Sequence, residues 1–364
     1  MSCIDAYRGI AALLVLLCHA AVTVGKDKYF GADPTHGLFQ AGARGVDLFF
    51  VLSGFIITYV HWFDLGQPSQ IGPYFVKRFI RLFPILWVVA IPFMVSSVLI
   101  KSEYMPTAWN QRAEVAVGSL LLLPTNCAPA PVVIWTLRHE LLFYAVFALA
   151  IWRPRLGGGV FLLWGSLCAY HAASGFNSNF LSDFLLNPYN LEFLLGLGCG
   201  WIMRTTRVRF PAVLCLVGGM LFLAACVVYD PIPETKSWTM NPSNGWQVLQ
   251  FGVSSALIVL GLAEIDVRRT LTPPRWLIFL GTASYSIYLI HFPIISVACK
   301  TLKAVDAHVA IAPLLAFLLA ATTALAAGLM LHVYVEAPLL AFCRNLLLRR
   351  RKWVDLRTPA AERC

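Results

Sequence analysis

Residues 5–20 read DAYRGIAALLVLLCHA, an apolar run with the cation Arg8 near its start and the imidazole of His19 near its end. Eleven positions at 3.6 residues per turn make about three helical turns, so both side chains lie on one helix face. Ionisable groups inside a membrane span are costly and typically functional. The pair therefore predicts a functional membrane helix; the alternative is a snorkelling arginine and a buried, hydrogen-bonded histidine.

The composition of the whole chain is that of a membrane protein. Of its 364 residues, 59% are hydrophobic and only 13% are charged. The long apolar runs do not alternate as the strands of a membrane barrel do, so we predict an all-α polytopic fold. The runs predict about ten transmembrane helices, near 4–24, 43–62, 79–100, 131–152, 159–174, 190–203, 210–229, 246–264, 277–300 and 309–343. The segment 113–124 is too short and too polar to cross.

The distribution of charge predicts the orientation. The net charge is +10, and with the N-terminus inside, the basic clusters fall on one side of the membrane. The positive-inside rule then places both termini in the cytoplasm. No basic segment is interleaved with aromatic residues, so we expect no nucleic-acid partner, only lipids around the spans. The clusters lie around residues 77–81, 153–155, 204–209, 268–275 and 349–352.

The remaining composition indicates one transmembrane domain. We assign residues 1–348 to it and residues 349–364 to a short, basic cytoplasmic tail. The ten cysteines include no CxxC pair and no Cys/His spacing suited to zinc, so we expect no metal site.

A first tier of polar residues is predicted in the outer half of the membrane. His19, Asp47, Glu140 and His291 come from four different spans, and the topology gives them similar depths. Taken singly, Asp47 and Glu140 could instead form polar contacts that hold two packed helices together, with no functional role. The shared depth instead favours one titratable site.

A second tier is predicted at the cytoplasmic side. Lys77, Arg78 and Arg81 surround the start of the third span, and a helix start also favours anions. Ordinary positive-inside anchoring explains them equally well, whereas a functional interpretation is a phosphate clamp for an anionic cofactor. His332 and Glu336, one turn apart, fall on the same side, where helix packing or ion pairing explains them best.

At these residues the sequence resembles the acyltransferase-3 family of integral membrane O-acyltransferases. The matching stretches occur in the family's order and run from residue 4 to about residue 338. They are IDAYRGIAALLVLLCHA, GVDLFFVLSGFI, RFIRLFP, WTLRHELLFY, LEFLLGLGCG, LGTASYSIYLIHFPI and YVEAP. The family's characteristic Arg and His map onto Arg8 and His19, and its basic motif maps onto Arg78 and Arg81.

The resemblance implies transfer of an acetyl or other acyl group from acetyl-CoA to a sugar hydroxyl of a lipid-linked or nascent surface polysaccharide. It is closest to stand-alone members that modify exopolysaccharides, which implies a bacterial inner (cytoplasmic) membrane and polysaccharide assembly machinery as partners. Acetyl-CoA is then the acyl donor, and we expect no permanently bound cofactor.

On the basis of this resemblance, we assign a role to each candidate site residue. His19 is the predicted base, with Arg8, Glu140 and Asp47 as its catalytic partners, and an acyl-histidine relay would use the same residues. Arg78, Arg81 and Lys77 are predicted to hold the donor's phosphates. Trp135, Tyr144, Tyr288 and His291 are predicted to line the substrate path.

Two other classes of function stay open at this point. Intramembrane Asp, Glu and His residues also mark secondary transporters of a glycan or an ion, although no paired broken helices are visible in the two halves. A non-catalytic partner of a polysaccharide synthase is the third possibility. An assay of acetyl transfer from acetyl-CoA in membranes separates an acyltransferase from both alternatives, because neither a transporter nor a non-catalytic partner would transfer the acetyl group.

Overall fold

The computed structural model describes residues 1–100, 105–174, 179–229 and 245–355, and within these ranges it consists of helices and their connections. The α-helices are α1 Ser2–Val24, α2 Gly45–Val60, α3 Ile71–Leu99, α4 Trp109–Leu120, α5 Trp135–Trp152, α6 Pro154–Ser174, α7 Phe180–Leu185, α8 Tyr189–Thr205, α9 Pro211–Val228, α10 Gly245–Arg268, α11 Arg275–Asp306, α12 Pro313–Leu331 and α13 Ala337–Asp355. A π-helical turn, His332–Glu336, joins α12 to α13.

The helices confirm a multi-pass, all-α membrane protein. Within the described ranges, nine helical segments are long and apolar enough to cross a membrane, and each coincides with a predicted span. The remaining predicted span, 190–203, is α8, which has 17 residues and a length of roughly 25 Å. The segment around 113–124 forms the 12-residue helix α4, as short as predicted. Of the predicted tail, residues up to Asp355 continue α13, and 356–364 lie outside the described residues.

Helices α1 and α11 pack against each other in the same direction. A Cβ added to Gly9 would meet the backbone of Gly281 at 2.8 Å, so the two helices touch backbone to backbone. Arg8, next to Gly9, contacts Ser284, and further along both helices His19 contacts His291. Helix α12 packs against this pair through a row of alanines. Small side chains let membrane helices approach closely, which matters because the hydrophobic effect does not drive helix association in lipid.

Helices α2 and α8 form a second close pair. A Cβ on Gly54 would collide with the carbonyl of Phe193, and one on Gly196 with the carbonyl of Val51. The buried aromatic rings of Phe143 and Phe193, 4.9 Å apart, then attach α5 to α8. These pairs leave a space between α1, α2, α3, α5 and α11.

The α2–α8 contact predicts a sharp difference between two neighbouring glycines. Gly196→Ala would force the helices apart and destabilise the protein by about 1–3 kcal/mol, the usual cost of overpacking. Gly198→Ala is the matched control, because a Cβ there meets nothing within 4 Å. Thermal melting of both purified variants measures the difference. Equal melting temperatures would contradict the packing described above.

Candidate active site

A cavity of about 410 Å³ occupies the space between these helices. Helix α2 lines it from Val46 to Ile57, a distance of roughly 16 Å along the axis. Arg78 lies near the Ile57 end because it contacts His61, and Tyr288 lies near the Val46 end because its ring packs on Phe49. The cavity therefore has a cationic end and a mainly apolar end.

The cationic end carries four guanidinium groups. Arg8, Arg78, Arg81 and Arg344 all line the cavity. Arg8 is ion-paired with Asp5 at 3.8 Å and donates to the Ser284 hydroxyl at 3.1 Å. The structure therefore brings three of the predicted basic residues together, although Arg8 and the Arg78/Arg81 pair were assigned to separate roles. Lys77, the fourth predicted cation, is exposed on α3 and does not line the cavity.

Glu336 is the buried centre of a network at this end. Its carboxylate, which has no exposed surface, accepts hydrogen bonds from Arg81 at 3.0 Å, from Ser286 at 2.7 Å and from His332 Nδ1 at 2.7 Å. The π-helical turn places His332 and Glu336 side by side on the cavity wall, a frequent use of such turns. Of the two roles expected here, helix packing and ion pairing, the structure shows an ion pair of Glu336 with Arg81 and a hydrogen bond between His332 and Glu336.

Glu140 lies on the cavity wall between the two ends. One of its oxygens accepts hydrogen bonds from Ser53, at 3.1 Å, and from the Tyr144 hydroxyl. The Tyr144 ring lies 5.5 Å from the guanidinium of Arg78. Glu140 and Tyr144 thus connect the cationic end to the middle of the cavity.

Tyr288 closes the apolar end. Its hydroxyl is hydrogen-bonded to Thr136 at 2.9 Å and to the carbonyl of Val133 at 3.0 Å. Behind it, the ring of His291 lies 5.7 Å away, and Nε2 of His291 lies 2.7 Å from Nδ1 of His19. The two histidines therefore meet one side-chain layer beyond the cavity and do not line it.

The contacts of His291 determine the tautomers of the neutral pair. Nδ1 of His291 lies 2.7 Å from the carbonyl oxygen of Tyr288, which can only accept, so this nitrogen carries a proton. Nε2 of a neutral His291 is then an acceptor, and Nδ1 of His19 is the donor. Nε2 of His19 keeps a lone pair, and it has no hydrogen-bond partner among the residues that the structure describes.

Asp47 lies elsewhere, in a buried cluster with Arg44 and Glu192. Asp47 is ion-paired with Arg44 at 3.6 Å, and the Arg44 guanidinium lies 4.5 Å from the Phe251 ring. All three charged side chains are at most 1% exposed, and none lines the cavity. Arg44 and Glu192 were missed from sequence, although both are charged residues beside or inside an apolar run.

The four residues predicted at one depth are therefore divided among three places. His19 and His291 form a pair, Glu140 lines the cavity, and Asp47 belongs to the Arg44 cluster. Trp135, predicted on the substrate path, packs behind Phe50 at 5.9 Å and does not line the cavity. Tyr144 and Tyr288 do line it.

Comparison with protein families shows which family the chain belongs to. The Acyltransferase domain of the acyltransferase-3 family matches residues 1–333. The chain belongs to this family. It is therefore a multi-pass membrane acyltransferase, and the family resemblance based on motifs is confirmed.

Relatives of this acyltransferase are similar over most of its length. Acyltransferase MdmB of Streptomyces mycarofaciens is 28% identical, over 98% of this chain and 94% of its own. The exopolysaccharide production protein ExoZ of Rhizobium meliloti is 30% identical, over 86% and 94% respectively. The peptidoglycan O-acetyltransferase OatA of Listeria monocytogenes is 22% identical over 82% of this chain, but over only 50% of its own. No solved structure matches the chain.

The Glu336 network predicts an asymmetric response to mutation. Arg81→Ala leaves a fully buried carboxylate without its cation and should destabilise the acyltransferase by about 3 kcal/mol. Adding Glu336→Gln should restore much of this loss, because the neutral amide needs no cation. Lys77→Ala, which removes an exposed cation from the same helix, is the control. Thermal melting in detergent measures all three, and a double variant no more stable than Arg81→Ala would refute the ion-pair account.

Proposed function

We propose that the protein transfers an acetyl group from acetyl-CoA to a sugar hydroxyl of a lipid-linked or nascent surface polysaccharide. The single observation that carries the proposal is the cavity, which begins among four guanidinium groups and ends one side chain from a histidine pair. An anionic donor with a long neutral arm suits such a cavity. The relatives named for exopolysaccharide production and for peptidoglycan O-acetylation support a polysaccharide acceptor.

The donor binds with its phosphates at the cationic end. Arg78 and Arg81 offer forked donors to phosphate oxygens, and Arg344 extends the cationic surface on α13. The pantetheine arm, which is uncharged, then lies along the apolar wall formed by residues such as Phe49 and Leu137. The positive-inside rule supports a cytoplasmic position for this end, where acetyl-CoA is made, in the inner membrane of a bacterium.

His19 supplies the general base. Its Nε2 lone pair accepts the proton of the sugar hydroxyl while that oxygen attacks the thioester carbonyl. The tetrahedral adduct then collapses, the carbon–sulfur bond breaks, and the protonated imidazole returns its proton to the departing thiolate. Proton transfer of this kind contributes typically 10²–10⁴-fold to a rate. A relay through acetylated His19 would use the same nitrogen.

Tyr288 separates the donor from this base in the present conformation. Its hydrogen bonds to Thr136 and to Val133 hold the ring between the cavity and His291. The proposal therefore requires the Tyr288 side chain to move when the thioester arrives. Glu140 is assigned to the cavity wall, where it holds Tyr144 beneath Arg78, and Asp47 to the packing of α2 in the buried charge cluster.

The hydrogen bond between His19 and His291 predicts the behaviour of variants at both histidines. His19→Ala should abolish transfer of label from radiolabelled acetyl-CoA to membrane glycan, although the protein still inserts. His291→Leu should lower the rate about 10²-fold, because nothing then accepts from Nδ1 of His19. His291→Asn, which keeps an acceptor, should lose less. His308→Ala, at an exposed histidine, is the control.

Two results would contradict the proposal. Full acetylation of the glycan by His19→Ala would exclude His19 as the base. A wild-type protein that labels no glycan in the presence of acceptor would exclude acetyl transfer altogether, as expected of a transporter. Mass spectrometry of the surface polysaccharide with and without the gene identifies the acyl group and the acetylated position.

A further inference from the structure

The contacts of Arg78 reach beyond the cavity to two residues that the proposed mechanism does not use. Nη2 of Arg78 lies 2.6 Å from Nε2 of His61, and Nδ1 of His61 lies 2.6 Å from a carboxylate oxygen of Asp64. His61 directly follows the end of α2 and is 1% exposed, while Asp64 lies in the next 3₁₀ turn. An Asp–His–Arg chain thus runs from the connection between α2 and α3 into the wall of the cavity.

The chemistry of the three groups determines where the protons are. A guanidinium only donates hydrogen bonds and a carboxylate only accepts them. His61 therefore carries its proton on Nδ1, donates it to Asp64, and accepts from Arg78 with the lone pair on Nε2. This arrangement exists only while the imidazole is neutral, because a protonated ring would turn an N–H toward the guanidinium.

We infer that His61 and Asp64 are positioning residues that hold the Arg78 guanidinium toward the cavity for the anionic part of the acyl donor. The inference rests on the proposed function, since it assumes that Arg78 binds that part of the donor. Arg78 has two further constraints, the rings of Tyr74 at 5.7 Å and Tyr144 at 5.5 Å. Aromatic faces restrict the plane of a guanidinium, whereas the imidazole acceptor selects the direction in which one N–H points.

The surroundings of His61 keep its ring neutral. Burial lowers the pKa of His61, and the positive charges of Arg78 and Lys77 lower it further, whereas the hydrogen bond to Asp64 acts in the opposite direction; the net pKa lies below the ordinary 6.5. From α3, the Tyr74 ring packs nearly perpendicular to the His61 ring with centroids 5.0 Å apart, and its hydroxyl donates to the carbonyl of Tyr144. His61 is therefore an acceptor at pH 7 and protonates only as the pH falls below about 6.5.

Binding of CoA to the purified, full-length protein tests the inference without relying on turnover. Titration calorimetry at pH 7 should show that His61→Ala weakens CoA binding about tenfold, the effect of roughly one charge-assisted hydrogen bond. His61→Gln should bind nearly as well as the wild type, because the amide oxygen accepts from Arg78. Asp64→Ala, at a residue with a 25% exposed side chain, should show a smaller loss. It also serves as the test if His61→Ala fails to fold.

The chain offers a matched control in a second His–Asp pair whose histidine is buried. His171 lies 3.4 Å from Asp183, on α6 and α7, and neither residue lines the cavity. His171→Ala removes the same side chain from a similar environment and should leave CoA affinity unchanged. Equal losses in His61→Ala and His171→Ala would indicate general destabilisation and overturn the inference.

The pH dependence of CoA affinity distinguishes a positioning role of His61 from a purely structural one. CoA affinity of the wild type should fall as the pH is lowered below 6.5, where His61 protonates and releases Arg78. The terminal phosphate of CoA also titrates near pH 6, so His61→Gln, which lacks the imidazole, is the reference and should lose less affinity. Identical pH profiles for the two proteins would overturn the inference.

The outcomes also separate this inference from the proposed function. If Arg78→Ala weakens CoA but His61→Ala, His61→Gln and Asp64→Ala all match the wild type, the positioning role is refuted and the donor site stands. If the wild type binds no CoA, the proposed donor site fails as well. Parallel losses in Arg78→Ala and His61→Ala, with His171→Ala unchanged, support both.

Discussion

The contact between α1 and α11 is the constraint on which the rest of the structure depends. Gly9 and Gly281 let the two backbones touch near the start of both helices, and the helices then run in parallel. Parallel packing at this distance brings His19 against His291 and Arg8 against Ser284. A side chain at Gly281 would collide with the Asp5 backbone, so one small-residue contact sets both the cationic end of the cavity and the histidine pair.

The cost of burying charge explains the arrangement of the remaining polar groups. A carboxylate or guanidinium inside a bundle must find partners, since lipid offers none. Glu336 meets this need with three donors from three different elements, and Arg78 with an imidazole and two aromatic rings. The same pairing that stabilises the helices also orients guanidinium groups around the cavity. The residues that stabilise the bundle are therefore also those proposed to bind the donor, which makes neutralising double variants more informative than single ones.

Sequence reasoning succeeded where one helix carries the information. Apolar length located the spans, and the spacing of Arg8 and His19 placed both on the face that meets α11. It failed where two helices must be rotated relative to each other. Asp47 and Glu140 both lie within apolar runs of the sequence. In the structure, however, Asp47 pairs with Arg44, whereas Glu140 lines the cavity. The depth of a residue can be estimated from its position in a span. Its contact partner on a neighbouring helix cannot be read from the sequence in this way.

By itself, the amino-acid sequence determined the membrane class and the spans, because these follow from apolar length, and its motifs identified the family. Only the tertiary structure decided that three predicted arginines share one cavity, that Tyr288 closes it, and that His61 contacts Arg78. The physical reason is that hydrogen bonds between helices depend on rotation and register. These are set by close backbone contacts such as the one between Gly9 and Gly281, which no periodicity within one helix encodes.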